Sequence, residues 1–161
     1  MPQEMLALMN RVYGKFDQLC EHHGIYKLDI LGDNYFAMGF TGKKSLLTRS
    51  DDDIYEEAAK TILVAFQMSE VIMEEKKRMQ TTFFKDIDIK VGLHHGNILA
   101  GVISRRQYIK YDVLGKEMLN AALVVAHSSD NMICVSEDLV RMFKNAPNDK
   151  FKFKWQMHKT I

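Results

Sequence analysis

A chain of 161 residues that is 47% hydrophobic and 27% charged has the length and composition of a single globular domain with a real core. Its 22 Lys and Arg against 21 Asp and Glu give a formal charge of +1, so no basic field marks a nucleic-acid footprint. No signal peptide or membrane-length apolar run stands out, and Cys20 and Cys134 sit in apolar contexts that suit reduced core thiols rather than a disulfide framework. The expectation is one soluble, cytosolic domain over residues 1–161.

In residues 3–23, Met5, Met9, Val12, Phe16, Leu19 and His23 recur at steps of three and four. That spacing predicts a helix with this face inward, Pro2 in its first turn and Gly24 at its end. Residues 25–31 and 35–40 read as two strands about the Gly32-Asp33-Asn34 turn, and residues 41–53 as a polar loop. A long helix is expected from Ile54 to about Gln80, with Ala58, Ile62, Phe66, Ser69 and Met73 on one face and a basic carboxyl-terminal end. Ile87, Ile89, Val91 and Leu93 alternate as in a half-buried strand, and Gly96-Asn97 turns the chain into a second strand, "ILAGVIS". A basic loop, "RRQYIKYDVLG", leads into a short strand ending near Val113. A third helix in "GKEMLNAALVVAHSS", a buried strand "MICVS", a short helix "EDLVRMFKN" and a final strand "FKFKW" complete the chain. This order belongs to an α+β sandwich.

Asp33 is the sharpest candidate for chemistry. A carboxylate at a tight hairpin tip can hold Mg2+, a hard cation that takes oxygen ligands; the alternative is a plain turn former, a role Asp also suits. Asp29 places a charge in an apolar strand, where it should be paired or face a wet cleft; Lys27 and Lys90 are the candidate partners. Arg105 and Arg106, with Lys110 nearby, could clamp phosphate oxygens or remain solvated loop charges. Asp112, ahead of a Gly-led helix, could cap that helix or contact a ligand amine. Adjacent His94 and His95 would point to opposite faces of a strand, which argues against a shared zinc ion.

The stretches "IYKLDILGDNYFAMGF", "VGLHHGNILAGVI" and "YDVLGKEMLNAA", in that order and with a long helix between the first two, resemble the catalytic domain of class III nucleotide cyclases, the adenylyl and guanylyl cyclase family. The likeness runs from about Pro2 to Val135, and "PQEMLALMNRVYGKFDQLC" is similar to the family's first helix. The resemblance implies a ferredoxin-like cyclase sandwich, an antiparallel-rich sheet with helices packed on it. It also implies two homologous halves paired head to tail, two Mg2+ (or Mn2+) ions per site, and conversion of ATP or GTP to a cyclic monophosphate and pyrophosphate.

Position by position, the resemblance makes Asp33 a metal ligand, Asp29 and Asp112 the purine-reading positions, and Arg105 or Arg106 the phosphate-binding arginine. The family's first metal aspartate belongs to a strand ahead of the first helix, and this sequence begins at that helix, so the N-terminal strand and the first metal ligand are the same absence; an Asp in a strand-turn context before Pro2 would restore the metal pair. The family's transition-state Asn and Arg fall at Leu119 and Leu123, which cannot stabilise a pentavalent phosphate; Asn120 lies one step round the helix. The expectation is therefore a metal-side half that needs a complementary cyclase half, inactive alone, with any membrane attachment lying in other parts of a larger protein. A non-catalytic regulatory dimerisation module is the alternative.

Overall fold

The computed structural model describes residues 2–39, 49–79, 86–105, 108–146 and 151–157. The chain folds as two compact units, residues 1–50 with 60–89, and residues 51–59 with 90–161.

The first unit starts with α1 (Pro2–His23), which ends where Gly24 takes a left-handed φ of 68° and the Ile25 N–H returns to the Cys20 carbonyl. Its inward stripe is Leu8, Val12, Phe16 and Cys20, one turn apart, while Met5 stays exposed. The helix is as expected; the face is rotated from the predicted one, because Leu8 and Cys20 take the fully buried positions, while Met5 is exposed and Leu19 is half-buried against the cluster of Cys20, Ile25 and Val64. Strands β1 (Tyr26–Leu31) and β2 (Asn34–Met38) form an antiparallel hairpin, with a register shift between Lys27 and Asp29 that leaves Leu28 as an extra residue. Phe40, the expected end of β2, and residues 41–48 of the expected loop lie outside the described residues.

Helix α2 (Asp51–Arg78) opens earlier than predicted, because Asp51, Asp52 and Asp53 make its first turn, where carboxylates suit the helix dipole. Ile62, Val64, Ala65, Ile72 and Met79 are buried, whereas Phe66 and Met73, expected inside, are exposed. Leu8, Val12, Phe16, Ile72 and Met79 form one core cluster with Tyr13, Tyr35, Ile87 and Ile89 packed on it. Glu75 sits on the same inner face with a side chain 0% exposed, held by Lys15 and Arg78 (both 3.3 Å) and Arg11 (3.4 Å).

In the second unit β3 (Lys90–Leu93) runs parallel to β6 (Met132–Val135) in register over all four residues. The predicted strand thus begins only at Lys90, since β6 offers no further partner and Ile87 and Ile89 serve the first unit's core. Strands β4 (Leu99–Arg105) and β5 (Tyr108–Leu114) pair antiparallel along their full length, from Leu99 opposite Leu114 to Arg105 opposite Tyr108. Helix α3 (Lys116–Ala126) lies close against β3: a Cβ on Gly92 would stand 2.6 Å from the Val125 backbone nitrogen. Helix α4 (Glu137–Lys144) is capped by the Ser136 hydroxyl, which accepts from the Leu139 N–H.

Residues 151–157 form no strand, contrary to the expectation for "FKFKW". Its period of two is nonetheless used: Phe151, Phe153 and Trp155 gather with Phe143 and Tyr55, leaving Lys152 and Lys154 exposed. The alternation reports an aromatic packing face rather than a hydrogen-bonded ladder.

Candidate functional site

The loop between β1 and β2 has two residues, Gly32 and Asp33. Only Gly32 takes a positive φ, 65°, so the glycine carries the turn and Asp33 is not required for it. The carboxylate stands exposed at the tip, where Oδ1 accepts from Asn34 Nδ2 at 3.2 Å. Its charge reaches α1: the Tyr13 hydroxyl is pushed above its ordinary range first by burial and then by Asp33.

Asp29 is half-buried in β1, and its Oδ1 accepts the N–H of Ile30 at 2.8 Å. The lysines considered as its partners make other contacts, Lys27 Nζ with Asp17 at 2.8 Å and Lys90 Nζ with Asp130 at 3.5 Å. The Tyr35 hydroxyl donates to the same Asp17 carboxylate that Lys27 meets, at 2.8 Å. Burial, followed by its contacts with Cys20 and Asp17, pushes that hydroxyl far up, so it stays protonated.

In the second unit Asp112 does not cap α3. The N-cap is Gly115, with φ 130° and no side-chain capping bond, while Asp112 Oδ1 accepts from Val113 N at 2.9 Å and Oδ2 lies 3.5 Å from Lys110 Nζ. Lys110 and Asp112 are two apart on β5 and so share a face, which Gly101 opposite Asp112 leaves open because a Cβ there would meet nothing within 4 Å. Arg105 ends β4, and Arg106 lies outside the described residues.

Helix α3 holds a network that the sequence reading missed. His94 Nε2 meets Glu117 Oε2 at 2.6 Å, with side chains only 5% and 13% exposed, and Asn120 Nδ2 donates to the same oxygen at 2.9 Å. These two bonds, that from His94 first, hold the Glu117 carboxyl below its usual range against the opposing effect of burial. Gly96 closes on the same carboxylate, 2.7 Å from where its Cβ would be. A shallow cavity of about 400 Å³ lies beside it, lined by His95, Asn97, Glu117, Asp138 and Arg141 among others. The only sequence signal was an acidic residue in a helix's first turn, where the dipole alone would explain it. Asn120 is thus engaged with Glu117, while Leu119 and Leu123 emerge exposed.

The α+β build, with its antiparallel hairpins, is that expected of a nucleotide cyclase catalytic domain. The family model for the adenylate and guanylate cyclase catalytic domain matches residues 1–160, and the chain belongs to that family. Guanylate cyclase alpha of Plasmodium falciparum is 27% identical over 158 residues, covering 98% of this chain; the chain spans 4% of that protein's length. Among solved structures, a non-canonical dimeric guanylyl cyclase domain of the RhoGC fusion protein from the aquatic fungus Blastocladiella emersonii shares the fold at TM-score 0.70 and 21% identity, covering 89% of this chain and 72% of its own. The guanylate cyclase domain of Catenaria anguillulae, solved with GTP, matches at TM-score 0.71 and 22% identity, covering 90% and 72%. Among the described residues no helix is long and apolar enough to cross a membrane.

Proposed function

We propose that residues 1–161 are the metal-side catalytic half of a purine nucleotide cyclase. In this reading ATP or GTP is converted to cyclic AMP or cyclic GMP plus pyrophosphate at an interface with a complementary half. The observation that carries the reading is Asp33: an exposed carboxylate at a hairpin tip whose turn is already made by Gly32. Mg2+ is commonly held by one or two carboxylates together with waters and phosphate oxygens, and Asp33 supplies one such ligand. No group of three or more His, Cys, Asp or Glu converges among the described residues, so the other ligands in this reading are the nucleotide phosphates and groups beyond those residues.

Two Mg2+ or Mn2+ ions, when bound, would favour the 3′-alkoxide that attacks the α-phosphorus and neutralise charge on the phosphates. Arg105 or Arg106 steadies the polyphosphate by a bidentate fork. The transition-state Asn and Arg come from the complementary half, because Leu119 and Leu123 occupy those positions here. Asp29 and Asp112 keep the purine-reading positions that the resemblance gives them, and Lys110 lies beside Asp112. The relatives' names favour GTP, while the resemblance divides evenly, Asp29 being acidic as guanylyl cyclases tend to be at that position and Asp112 being the residue adenylyl cyclases tend to carry at the other, so both nucleotides belong in any assay. The exposed leucines also support a second reading, a regulatory module that pairs with a cyclase half without contributing to its chemistry.

The two readings separate on metal binding. With the isotopically labelled chain paired to a cyclase half that carries the Asn and Arg, Mn2+ with GTP or ATP should broaden the Gly32 and Asn34 amide resonances, and Asp33→Ala should abolish the effect. Unbroadened hairpin amides in a demonstrated pair would favour the regulatory module.

A further inference from the structure

The carboxylate at the β1–β2 tip can meet an ion only where the hairpin holds it. Among the described residues β1 and β2 pair with each other alone, and a lone two-stranded hairpin is marginal in water. Its position is therefore set by what it packs on, and one side chain of α1, Asp17, takes hold of both strands. Asp17 Oδ2 meets Lys27 Nζ of β1 at 2.8 Å, and Asp17 Oδ1 accepts from the Tyr35 hydroxyl of β2 at 2.8 Å. The Lys27 ammonium also lies 5.6 Å from the centre of the Tyr35 ring.

The irregularity in β1 makes this grip possible. Residues opposite each other in an antiparallel pair share a face, and successive residues along a strand alternate. Ile30 stands opposite Tyr35 and Lys27 opposite Ala37, so all four share one face; Asp29, opposite Phe36, takes the other. In an unbroken strand Lys27, two residues from Asp29, would fall on the Asp29 face and away from Tyr35. The extra residue Leu28 turns it back. The Tyr35 ring meets Phe16 edge-on at 5.4 Å and Tyr13 at 5.7 Å, and it packs on both the Val12–Phe16–Ile72 and the Cys20–Ile25–Val64 clusters. Tyr35 carries more of the grip than Lys27, because the Lys27 and Asp17 side chains are 38% and 44% exposed, where an ion pair contributes little. We propose that Asp17, Lys27 and Tyr35 are positioning residues for the metal site, fastening both strands of the hairpin to α1 so that Asp33, two residues from Tyr35, is held in one place. That role rests on the metal-side reading of Asp33 above; the grip itself does not.

Amide nitrogen relaxation of the labelled chain without metal measures the grip. Mn2+ titration of the same chain, paired with GTP present to a cyclase half that carries the Asn and Arg, measures the positioning. In the parent the Gly32 and Asn34 amides should show order parameters near the rigid value of about 0.85. Tyr35→Phe keeps the ring and removes the hydroxyl, so it should lower those values toward about 0.6. It should also raise the Mn2+ concentration that half-broadens the two amides about fivefold, the weight of one net hydrogen bond. Asp17→Ala should do at least as much, whereas Asp17→Asn, which keeps an acceptor for Tyr35, should recover most of the loss. Lys76→Gln, which breaks a half-exposed ion pair with Asp88 elsewhere in the unit, should leave both quantities unchanged. Tip amides already loose in the parent, or as rigid in Tyr35→Phe as in the parent, would overturn the proposal. So would loosened amides with an unmoved Mn2+ midpoint, the mark of a purely structural tie. Broadening indifferent to Asp33→Ala would overturn the metal-side reading and the positioning role with it, while the metal-free amides still decide the grip.

Discussion

Asp33 and Glu75 are both carboxylates, and their surroundings set them opposite tasks. Asp33 stands in water at a hairpin tip beside a single amide donor, so it is available to a cation. Glu75 is enclosed by Arg11, Lys15 and Arg78, and its task is to tie α1 to α2. Burial alone would raise the Glu75 carboxyl, but the Lys15 hydrogen bond and the charges of Arg78, Lys15 and Arg11 outweigh it and hold it below the ordinary 4.5. A depressed carboxyl contributes stability that is present above that ordinary value and lost as the pH falls through the folded-state value. Glu75→Gln should therefore cost about 1–2 kcal/mol in urea unfolding at pH 7, and the gap to the parent should narrow below pH 4.5. Equal stabilities at neutral pH would refute the assignment. Asp33 was visible in the sequence because turn chemistry is local. Glu75 was hidden because its meaning depends on Arg11, 64 residues away.

At the level of elements, α3 lies close on β3 in the second unit, with Gly92 against Val125. Gly92→Ala would drive a methyl into the Val125 backbone and side chain, so it should lower stability by about 2–3 kcal/mol, measured by denaturant midpoint with an unchanged slope. A neutral substitution would mean the joint can open without loss. The helices, the β1–β2 hairpin and strands β3, β4 and β6 were legible from period and turn residues, whereas β5 already begins at Tyr108, within the stretch read as a basic loop, and pairs with β4 along its whole length. The phase of α1 and α2 was not legible, because hydrophobic spacing offered two adjacent stripes and only the packed partners choose between Met5 and Leu8, or Phe66 and Ala65. The "FKFKW" alternation was real, yet period two cannot distinguish a ladder from an aromatic face. Asp112 as a helix cap failed for a geometric reason: Gly115 intervenes, and the carboxylate turns back onto its own strand.

At the scale of the whole molecule, the family is established and the division of labour is the proposal. In the proposed reading Asp33 is a metal ligand and the transition-state groups come from a complementary half, so that the exposed Leu119 and Leu123 are tolerated. The most direct measurement uses a complementary cyclase half that supplies Asn and Arg but whose own hairpin-tip aspartate has been changed to alanine. Metal-dependent cyclic nucleotide formation from GTP and ATP is followed in the mixture. Activity that appears only on adding this chain, and falls at least a hundredfold with Asp33→Ala, is the predicted result. Activity indifferent to Asp33→Ala, or none from a pair shown to assemble, would contradict it.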